Sequence, residues 1–336
     1  MIRLGIAGMG IRGKLYANAI KQYPKAQLVS VSEPVQVTLD QCTEKFDVKG
    51  YKDYKEMIEQ EDLDAIIVAT PDFAHCDIAI RAAEKGIHLL VEKPFATSSD
   101  EAKAMLEVVE KSRVKCMVGF ENRWNMPFVS IKDAVGQGEI GHIITMNARL
   151  NDTIYVPTKM LSWAAETTPA WFLLSHLIDM SCWLTGKKVI NAQATGIKEK
   201  LVSLGIDTYD SIIAMLTFED GTIGSYTTSW VLPECMPMIY DLKYEIIGTE
   251  GCFYVDLQDQ MVHEGGKLYK HRHTLGTPVA GRLTAAPELM LYEFLDNLID
   301  DIYPAADAYA GYVNTLIIEA IHQSIHRGGP VNIEYK

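Results

Sequence analysis

Residues 2–13, IRLGIAGMGIRG, join a short apolar run to a glycine-rich turn. The run IRLGIA has the continuous hydrophobic character of a strand that is buried on both faces of a parallel sheet. Gly8, Gly10 and Gly13 follow it with the spacing G-x-G-x-x-G. At a strand-to-helix turn, the first glycine permits a tight turn, the second admits a pyrophosphate, and the third lets the helix pack on the strand. This stretch therefore predicts a dinucleotide-binding βαβ unit.

Short β-rich runs and helical stretches continue to alternate through the first 120 residues. A helix is predicted over residues 98–112, where the run TSSDEA supplies capping side chains and an acidic first turn. The alternation is typical of a doubly wound α/β fold with a parallel sheet. Five strands are expected, in the runs IRLGIAG, QLVSVSE, DAIIVATP, HLLVEKP and KCMVGF.

An acidic residue, Glu33, ends the second of these strands and lies 20 residues after Gly13. A carboxylate at this spacing suits the hydroxyl groups of an adenosine ribose. It would repel a 2′-phosphate, and no arginine follows in SEPVQVT, so NAD is favoured over NADP. An ordinary exposed glutamate is the alternative interpretation. Because a helix N-terminus binds phosphate, contacts with the cofactor are expected from Gly8, Gly10, Ile11, Arg12 and Gly13.

Composition and charge narrow the functional class. The 336 residues suffice for two domains, and 31 basic against 44 acidic side chains give a net charge of -13. Nucleic acids and anionic membrane surfaces bind basic faces, so neither partner is expected. No apolar run reaches the length of a transmembrane helix. Six scattered cysteines without paired spacing favour a reduced, cytoplasmic protein.

The remainder of the chain has a different pattern. A helix is predicted near residues 127–136, and the runs DSIIAMLTF, TIGSYTTSW and LKYEIIGT alternate as antiparallel strands with one buried face do. A final amphipathic helix is expected to end at Gly328 and Gly329. Two domains are therefore expected, a dinucleotide-binding domain over residues 1–120 and a second domain over residues 121–336.

The run AWFLLSHLIDMSCW, residues 170–183, is almost entirely apolar but carries His176 and Asp179. We expect a helix here, with Thr168 as its N-cap and Pro169 as its first residue. A buried helix tolerates ionisable side chains where they are hydrogen-bonded or used in function. From the residues alone, His176 is either a hydrogen-bonded core histidine or a functional group.

The tripeptide HRH, residues 271–273, has the appearance of a metal-binding segment. Structural zinc sites combine histidine with other ligands, commonly cysteine, at short spacing. No cysteine or carboxylate cluster accompanies the tripeptide at such a spacing. No metal site is therefore predicted.

Four further segments carry a family resemblance. VEKPF contains Glu92, Lys93 and Pro94, which end the fourth predicted strand at the edge where doubly wound sheets bind ligands. The other segments are ATPDFAH (69–75), GFENRWNMP (119–127) and YEIIGTEG (244–251). In this order they make the sequence resemble the glucose–fructose oxidoreductase / inositol dehydrogenase / MocA (Gfo/Idh/MocA) family along essentially its whole length. The resemblance implies an N-terminal Rossmann domain and a C-terminal α+β domain with an open, mainly antiparallel sheet.

The resemblance also implies roles for individual residues. Lys93 is expected near the nicotinamide and the substrate oxygen, where it can relay a proton, and its bond to Pro94 is commonly cis in the family. His176 matches a histidine that serves as the proposed general base. Arg123 is expected at the substrate, and Trp124 and Trp163 are candidate walls for a carbohydrate. The residues expected along the dinucleotide are Thr70, Pro71, His75, Glu92 and Lys93.

The sequence departs from the family beside this histidine. The usual aspartate four residues before it is replaced by Phe172. Asp179 lies one turn further along the same helical face and is the expected supporting residue for His176 at the substrate. The departure is compatible with a different proton pathway, a different substrate or a lost activity.

The leading interpretation is an NAD-dependent oxidoreductase of carbohydrate metabolism. It would transfer hydride between a secondary alcohol of a sugar, polyol or sugar derivative and the nicotinamide. Lys93 would polarise the substrate oxygen, and His176 would take up its proton. Two alternatives are a dinucleotide-binding sensor without turnover and redox-assisted cleavage of a glycosidic bond. The family resemblance also implies a homodimer or homotetramer formed through the sheet of the second domain.

Overall fold

The computed structural model describes residues 1–266 and 269–335 and divides the chain into two compact units. The first unit contains residues 1–124 and 276–315, and the second contains residues 125–275 and the chain from residue 316 onward. The predicted division between residues 120 and 121 lies close to the first crossing. The structure differs in one segment, residues 276–315, which returns to the first unit.

Strands and helices alternate up to residue 118, and longer strands follow, as the two predicted sheet types require. The strands of the described ranges are β1 (Ile2–Ala7), β2 (Ala26–Ser32), β3 (Lys49–Tyr51), β4 (Ala65–Val68), β5 (His88–Val91), β6 (Cys116–Val118), β7 (Ile143–Thr153), β8 (Val189–Ile197), β9 (Ser211–Phe218), β10 (Ile223–Leu232), β11 (Tyr240–Gly248), β12 (Cys252–Asp256), β13 (His263–Gly265), β14 (Tyr269–His271) and β15 (Val331–Asn332). The α-helices there are α1 (Ile11–Ile20), α2 (Gln36–Phe46), α3 (Tyr54–Gln60), α4 (His75–Glu84), α5 (Ser99–Ser112), α6 (Met126–Gly136), α7 (Ser175–Thr185), α8 (Lys200–Ser203), α9 (Ala286–Ile299) and α10 (Ala308–Arg327).

A parallel sheet forms the centre of the first unit. Its six strands lie in the order β3-β2-β1-β4-β5-β6, and each neighbouring pair is parallel. This order confirms the predicted doubly wound fold. The sequence did not indicate β3, because it has three residues and two of them are exposed. Val91, the first residue of VEKPF, therefore ends the fifth strand of the chain and not the fourth.

Local capping and long-range packing complete the first unit. The helix predicted over residues 98–112 is α5, and the hydroxyl of Ser98 caps it by accepting from the Glu101 N–H at 3.2 Å. The returning segment packs through α9, where the rings of Tyr23 and Tyr292 stack with centroids 5.7 Å apart. A backbone hydrogen bond also joins the returning segment to β6, since the Val118 N–H donates to the carbonyl of residue 306 at 2.7 Å. These contacts explain why residues 276–315 belong to the first unit.

The second unit is built on an open sheet with the order β12-β11-β7-β10-β9-β8-β15. Only β7 and β10 pair in parallel among these seven described strands, so the sheet is mainly antiparallel as predicted. The predicted helix near 127–136 is α6. The predicted final helix is α10, which belongs to this unit from residue 316 onward and ends before Gly328, a glycine with a φ of 68°. Within the described ranges, no helix has the length and apolar character needed to cross a membrane.

Candidate active site

The glycine-rich turn after β1 has the shape of a phosphate-binding loop. Gly8 has a φ of 90°, which favours glycine, and a Cβ there would lie 2.6 Å from the carbonyl oxygen of Ala69. A Cβ at Gly13 would overlap the carbonyl oxygen of Gly8. Beside Gly10, in contrast, an added Cβ would meet no described atom within 4 Å. The turn is therefore packed at two glycines and open at the third, where a pyrophosphate would approach.

The N-terminus of α1 supplies the electrostatics for that ligand. The helix begins at Ile11, and Gly10 precedes it without a side chain to cap it. The first N–H groups of a helix have no intrahelical acceptor and carry partial positive charge. No acidic side chain lies in this first turn, and Ile11 is exposed. This end of α1 fits an anionic phosphate.

Glu33 follows β2 at the same edge of the sheet and is held by the backbone. Its Oε2 accepts a hydrogen bond from the Met9 N–H at 3.0 Å, and its Oε1 accepts one from the Val35 N–H at 3.1 Å. The residue is 9% exposed, which does not fit an ordinary exposed glutamate. A carboxylate has about four lone-pair sites, so both oxygens retain capacity to accept ribose hydroxyls.

The segment after β4 offers a second polar contact for a dinucleotide. The hydroxyl oxygen of Thr70, just before Pro71, is buried and has no hydrogen-bond partner among the described residues. His75 is 1% exposed, and its ring nitrogens face the carbonyl oxygens of Pro94 at 2.8 Å and Thr70 at 3.1 Å. His75 therefore braces the segments that follow β4 and β5. Glu33, the glycine-rich turn and Thr70 together fit NAD.

A buried group of charged and phenolic side chains surrounds the residue before Lys93. Glu92 is 4% exposed, accepts from the Tyr16 hydroxyl at 2.6 Å and lies 3.6 Å from the Arg12 Nε. The Arg12 guanidinium also forms an ion pair with Glu121. We call Arg12, Tyr16, Glu92 and Glu121 the Glu92 cluster. The Lys93 N–H donates to the Glu92 Oε2 at 3.2 Å, so the cluster is bonded directly to the backbone of Lys93.

Electrostatics within the Glu92 cluster keep its cation charged. Burial alone would lower the pKa of Arg12, but the charges of Glu121 and Glu92 outweigh that effect and raise the pKa above its ordinary value. Burial and the neighbouring Glu92 charge also raise the pKa of Tyr16, which stays a neutral donor. The side chains of Arg12 and Glu92 are thus paired as a charged cation and a carboxylate. Lys93 itself is half-buried after β5, and its bond to Pro94 is cis, as the resemblance implied.

Two predicted substrate residues lie in the first unit after β6. Arg123 is half-buried, donates from Nη1 to the carbonyl of residue 305 at 2.9 Å and lies over the Phe120 ring at 5.6 Å. Trp124 donates from its indole nitrogen to Glu293 in α9 at 2.7 Å. This bond gives Trp124 a structural role within the unit. The bond from Arg123 likewise ties this side chain to the returning segment.

In the second unit, the helix that carries His176 begins with a π-helical turn over Ala170–Leu174 and continues as α7. The sequence indicated a single α-helix. The Thr168 hydroxyl accepts from the Trp171 N–H at 3.3 Å, which agrees with its predicted capping role. His176 and Asp179 are 9% and 3% exposed, respectively. Both predicted ionisable residues are therefore buried on one short helix.

Neutral hydrogen bonds hold this helix from two directions. His322 in α10 donates from Nδ1 to the Ile318 carbonyl at 2.9 Å, so its Nε2 accepts from the Thr168 hydroxyl at 2.8 Å. Burial lowers the pKa of His322 to about 4, which keeps the ring neutral. On the sheet side, the Ser181 hydroxyl contacts the hydroxyls of Tyr226, at 2.6 Å, and Tyr244. Sequence reasoning missed these partners, because no local pattern marks them.

Phe172 belongs to a group of aromatic side chains. Its ring centroid lies 6.2 Å from that of Trp163 and 5.7 Å from that of Trp230. Trp230 is fully buried, whereas Trp163 and Phe172 are half-buried. We call these three residues the aromatic cluster. The position that the family gives to an aspartate is thus part of an apolar surface in this chain.

Comparison with known proteins identifies related sequences. Residues 2–120 match a family model described as the GFO_IDH_MocA oxidoreductase family with an NAD-binding Rossmann fold. Residues 128–254 match the model of the GFO/IDH/MocA C-terminal domain. The two matches follow each other along the chain in the same order as the two sheets of the structure.

Individual relatives agree with these matches. The scyllo-inositol 2-dehydrogenase (NAD(+)) of Bacillus subtilis (strain 168) is 28% identical over 257 residues, which cover 76% of this chain and 73% of the relative. The levoglucosan dehydrogenase of Pseudarthrobacter phenanthrenivorans is 25% identical over 369 aligned positions, which cover 98% of this chain and 91% of the relative. A crystal structure of scyllo-inositol dehydrogenase from Lactobacillus casei, with bound NAD(H) and scyllo-inositol, matches with a TM-score of 0.87 at 20% identity over 99% of both chains. At that identity, the structural likeness establishes a shared fold.

Proposed function

Because this chain belongs to the Gfo/Idh/MocA oxidoreductase family, we propose that it is an NAD-dependent dehydrogenase that oxidises a secondary alcohol of a cyclic polyol or sugar. The observation that carries the proposal is the glycine-rich turn, which is open beside Gly10 and has the buried carboxylate of Glu33 at the same sheet edge. The similarity to an inositol dehydrogenase and a levoglucosan dehydrogenase supports a carbohydrate-like substrate.

Oxidation of an alcohol removes a hydride from carbon and a proton from oxygen. Bound NAD supplies the hydride acceptor. Lys93 donates a hydrogen bond to the substrate oxygen and stabilises the negative charge that develops there. His176 accepts the hydroxyl proton at a ring nitrogen. The bond between the Lys93 N–H and Glu92 supports this assignment, because it fixes the backbone that carries the lysine.

Asp179 is the carboxylate that we assign to stabilise protonated His176. It lies three residues after His176 in α7, and side chains at this spacing are neighbours on a helix. A buried imidazole otherwise resists protonation, because burial disfavours its charged form. Phe172, four residues before His176, has no group that could share the charge.

The aromatic cluster and Arg123 support a ring-shaped substrate. The half-buried faces of Trp163 and Phe172 provide an apolar surface on which the C–H groups of a sugar or cyclitol ring can pack. Arg123 is assigned to bind substrate hydroxyls through its N–H donors. We therefore expect a cyclic substrate with one less polar face to be preferred over an open-chain polyol.

The outer face of the second-unit sheet supports association of two copies of the chain. Helix α7 contacts the opposite face through Ser181. The outer positions of the strands expose six large apolar side chains, namely Ile197, Ile213, Met215, Ile223, Ile247 and Tyr254. Exposed apolar patches of this kind mark interaction surfaces. We propose a homodimer or homotetramer through this face, and analytical ultracentrifugation of Met215→Glu tests it, because the added charge should shift the chain towards the monomer.

We further propose that the enzyme prefers NAD to NADP and acts in the cytoplasm. The Glu33 carboxylate would repel a 2′-phosphate, so a titration in which NADP binds more tightly than NAD would contradict the preference. None of the six cysteines, all of which lie within the described ranges, forms a disulfide, which supports a reducing compartment. Localisation of the tagged chain by fluorescence microscopy tests the compartment.

The decisive experiment is NADH formation with a panel of substrates. Scyllo-inositol and levoglucosan, which the names of the two relatives above contain, form the cyclic part of the panel, and an open-chain polyol serves as the comparison. We expect turnover with at least one cyclic compound. Tight NAD binding without turnover on any of them would favour the sensor, and a cleaved glycoside without net NADH would favour redox-assisted cleavage. The dehydrogenase names of the relatives favour neither alternative.

A further inference from the structure

We propose that Asp259, His263 and His271 form a binding site for a divalent transition metal ion such as Zn²⁺. One potential donor atom from each of the three side chains lies within 4.8 Å of the other two. All three residues belong to the second unit, and none of them is assigned above to cofactor or substrate. The proposed site does not depend on the dehydrogenase activity.

The backbone brings the two histidines together. Strands β13 and β14 pair antiparallel, with His263 directly opposite His271. Side chains that are directly opposite in such a pair project from the same face of the ladder. The two imidazole rings stack with centroids 4.5 Å apart and an interplanar angle of 21°. Two nitrogen ligands are therefore held side by side by strand pairing.

The third ligand is already oriented towards this pair. The Asp259 Oδ1 lies 2.8 Å from the His263 Nε2 and accepts a hydrogen bond from the Met261 N–H at 2.9 Å. His271 donates from Nδ1 to the Gln258 carbonyl at 2.8 Å, which leaves the lone pair of its Nε2 for a ligand. Histidines that bind metals almost always donate their other N–H in this way.

The donor set selects the kind of ion. Two imidazole nitrogens and one carboxylate suit Zn²⁺, Co²⁺, Ni²⁺ or Cu²⁺, whereas Mg²⁺ and Ca²⁺ prefer oxygen ligands. Tetrahedral zinc places neighbouring ligand atoms roughly 3.4 Å apart, given metal–ligand distances of about 2.0–2.1 Å. The side chains of Asp259 and His263 are exposed, so they can rotate and bring their donor atoms from within 4.8 Å to this shorter separation. Three protein ligands leave one position for water.

The neighbouring residues explain why the sequence pattern HRH did not reveal this site. His273 contacts Gln260 at 3.2 Å and the Tyr240 ring at 6.4 Å, so only one histidine of the tripeptide joins the group. Arg272 pairs with Glu264 at 3.0 Å. The two other ligands come from residues 259 and 263, whose proximity depends on the strand register.

Isothermal titration of the full chain with ZnCl₂, without an affinity tag or NAD, tests the proposal. We expect one bound ion per chain. His263→Ala and His271→Ala should each weaken binding at least about 10-fold, while circular dichroism of the metal-free variants stays unchanged. His142→Ala is the matched control, because His142 is an exposed histidine that lies 3.9 Å from a carboxylate, that of Asp220.

Cobalt provides a second readout. Replacement of Zn²⁺ by Co²⁺ should give visible absorption bands that disappear in the double variant His263→Ala/His271→Ala. Absence of binding to the unmodified chain would overturn the proposal. Retention of the bound ion in the double variant would also overturn it and would direct attention to the exposed thiols of Cys235 and Cys252. An equal loss in His142→Ala would show nonspecific surface binding and reject the site.

Discussion

Charged side chains surround the residue before Lys93 in the first unit, whereas neutral groups hold the helix of His176 in the second. The carboxylate of Glu92 is buried against the Arg12 cation and the Tyr16 phenol. Removing one member of such a group leaves an uncompensated buried charge, which is strongly destabilising. The geometry around Lys93 therefore depends on every charge of the Glu92 cluster.

The supports of α7 depend on neutrality. His322 accepts from Thr168 only while its Nε2 is unprotonated, and Ser181 contacts the hydroxyl of Tyr226. Burial raises the pKa of Tyr226, so this phenol is also neutral. Acid would disrupt the first of these bonds. This difference leads to two expectations. Removal of a charged side chain should destabilise the first unit more than the second, and acidification should destabilise the second unit more than the first.

The largest effect is expected from His176→Ala. If His176 accepts the substrate proton, its removal should lower kcat by roughly 100- to 10,000-fold. Steady-state NADH formation measures this, and His326→Ala, in an exposed histidine of α10, should leave kcat near the wild-type value. Equal rates for wild type and His176→Ala would assign the proton to another group.

Asp179→Asn sharpens the same assignment. Loss of the carboxylate charge disfavours the protonated imidazole, so the rate should decline and the acidic limb of the pH–rate profile should move to lower pH. A profile of kcat/KM against pH measures this shift. An unchanged profile in Asp179→Asn would separate Asp179 from the proton transfer.

Lys93→Ala is expected to lower kcat by roughly 100- to 1,000-fold, because the hydrogen bond to the substrate oxygen is lost. Its NAD affinity and its melting temperature should stay near wild type, because the variant keeps the backbone N–H that donates to Glu92. Lys85→Ala, in an exposed ion pair with Glu59, is the control. Unfolding of Lys93→Ala would instead show that the lysine is structural.

Arg12→Met tests how much the charges of the Glu92 cluster contribute to stability. It leaves Glu92 and Glu121 without their cation and should lower the free energy of unfolding by about 2–3 kcal/mol. Arg81→Met removes an exposed ion pair with Asp77 and should cost less than about 1 kcal/mol. Urea denaturation of both variants gives the two values. Equal values would mean that the Glu92 cluster behaves as a surface network.

The smallest effect is expected for the neutral hydrogen bonds that hold α7, and it should be seen as a dependence of the free energy of unfolding on pH. The pKa of His322 is about 4 in the folded chain, below its ordinary value, so its stabilising contribution is present above the ordinary pKa and declines as pH falls towards 4. Because the ring is only half-buried, we expect a loss of about 1–2 kcal/mol over this interval. Urea denaturation at several pH values measures this loss of stability. The pH dependence should be absent in His322→Gln and retained in His326→Gln.

The parts predicted from the sequence are those that local chemistry determines. The glycine spacing, the cap of α5 and the end of α10 each depend on residues within a few positions of one another. The assignment of Glu33 depended on a fixed spacing of 20 residues after Gly13. The sequence also indicated the two sheet types, because continuous and alternating apolar runs have different patterns. These features required no knowledge of distant contacts.

The remaining features depend on residues far apart in the chain. Thr168 and His322 meet across 154 positions, and Tyr16 meets Glu92 across 76. The return of residues 276–315 to the first unit depends on ring stacking in α9, which leaves no periodic signal. The partners of such hydrogen bonds come together only when the tertiary structure forms, so patterns in a single sequence cannot reveal them.

Transfer of deuterium from substrate to cofactor tests the central claim most directly. A cyclic substrate from the panel would carry deuterium on the carbon that bears the reacting hydroxyl, and the reduced cofactor would be analysed by mass spectrometry. We predict one deuterium in each reduced NAD, matched one to one by oxidised product, with the rate reduced in Lys93→Ala and His176→Ala. Reduced NAD without deuterium, or consumption of substrate without reduced NAD, would contradict a direct dehydrogenase mechanism.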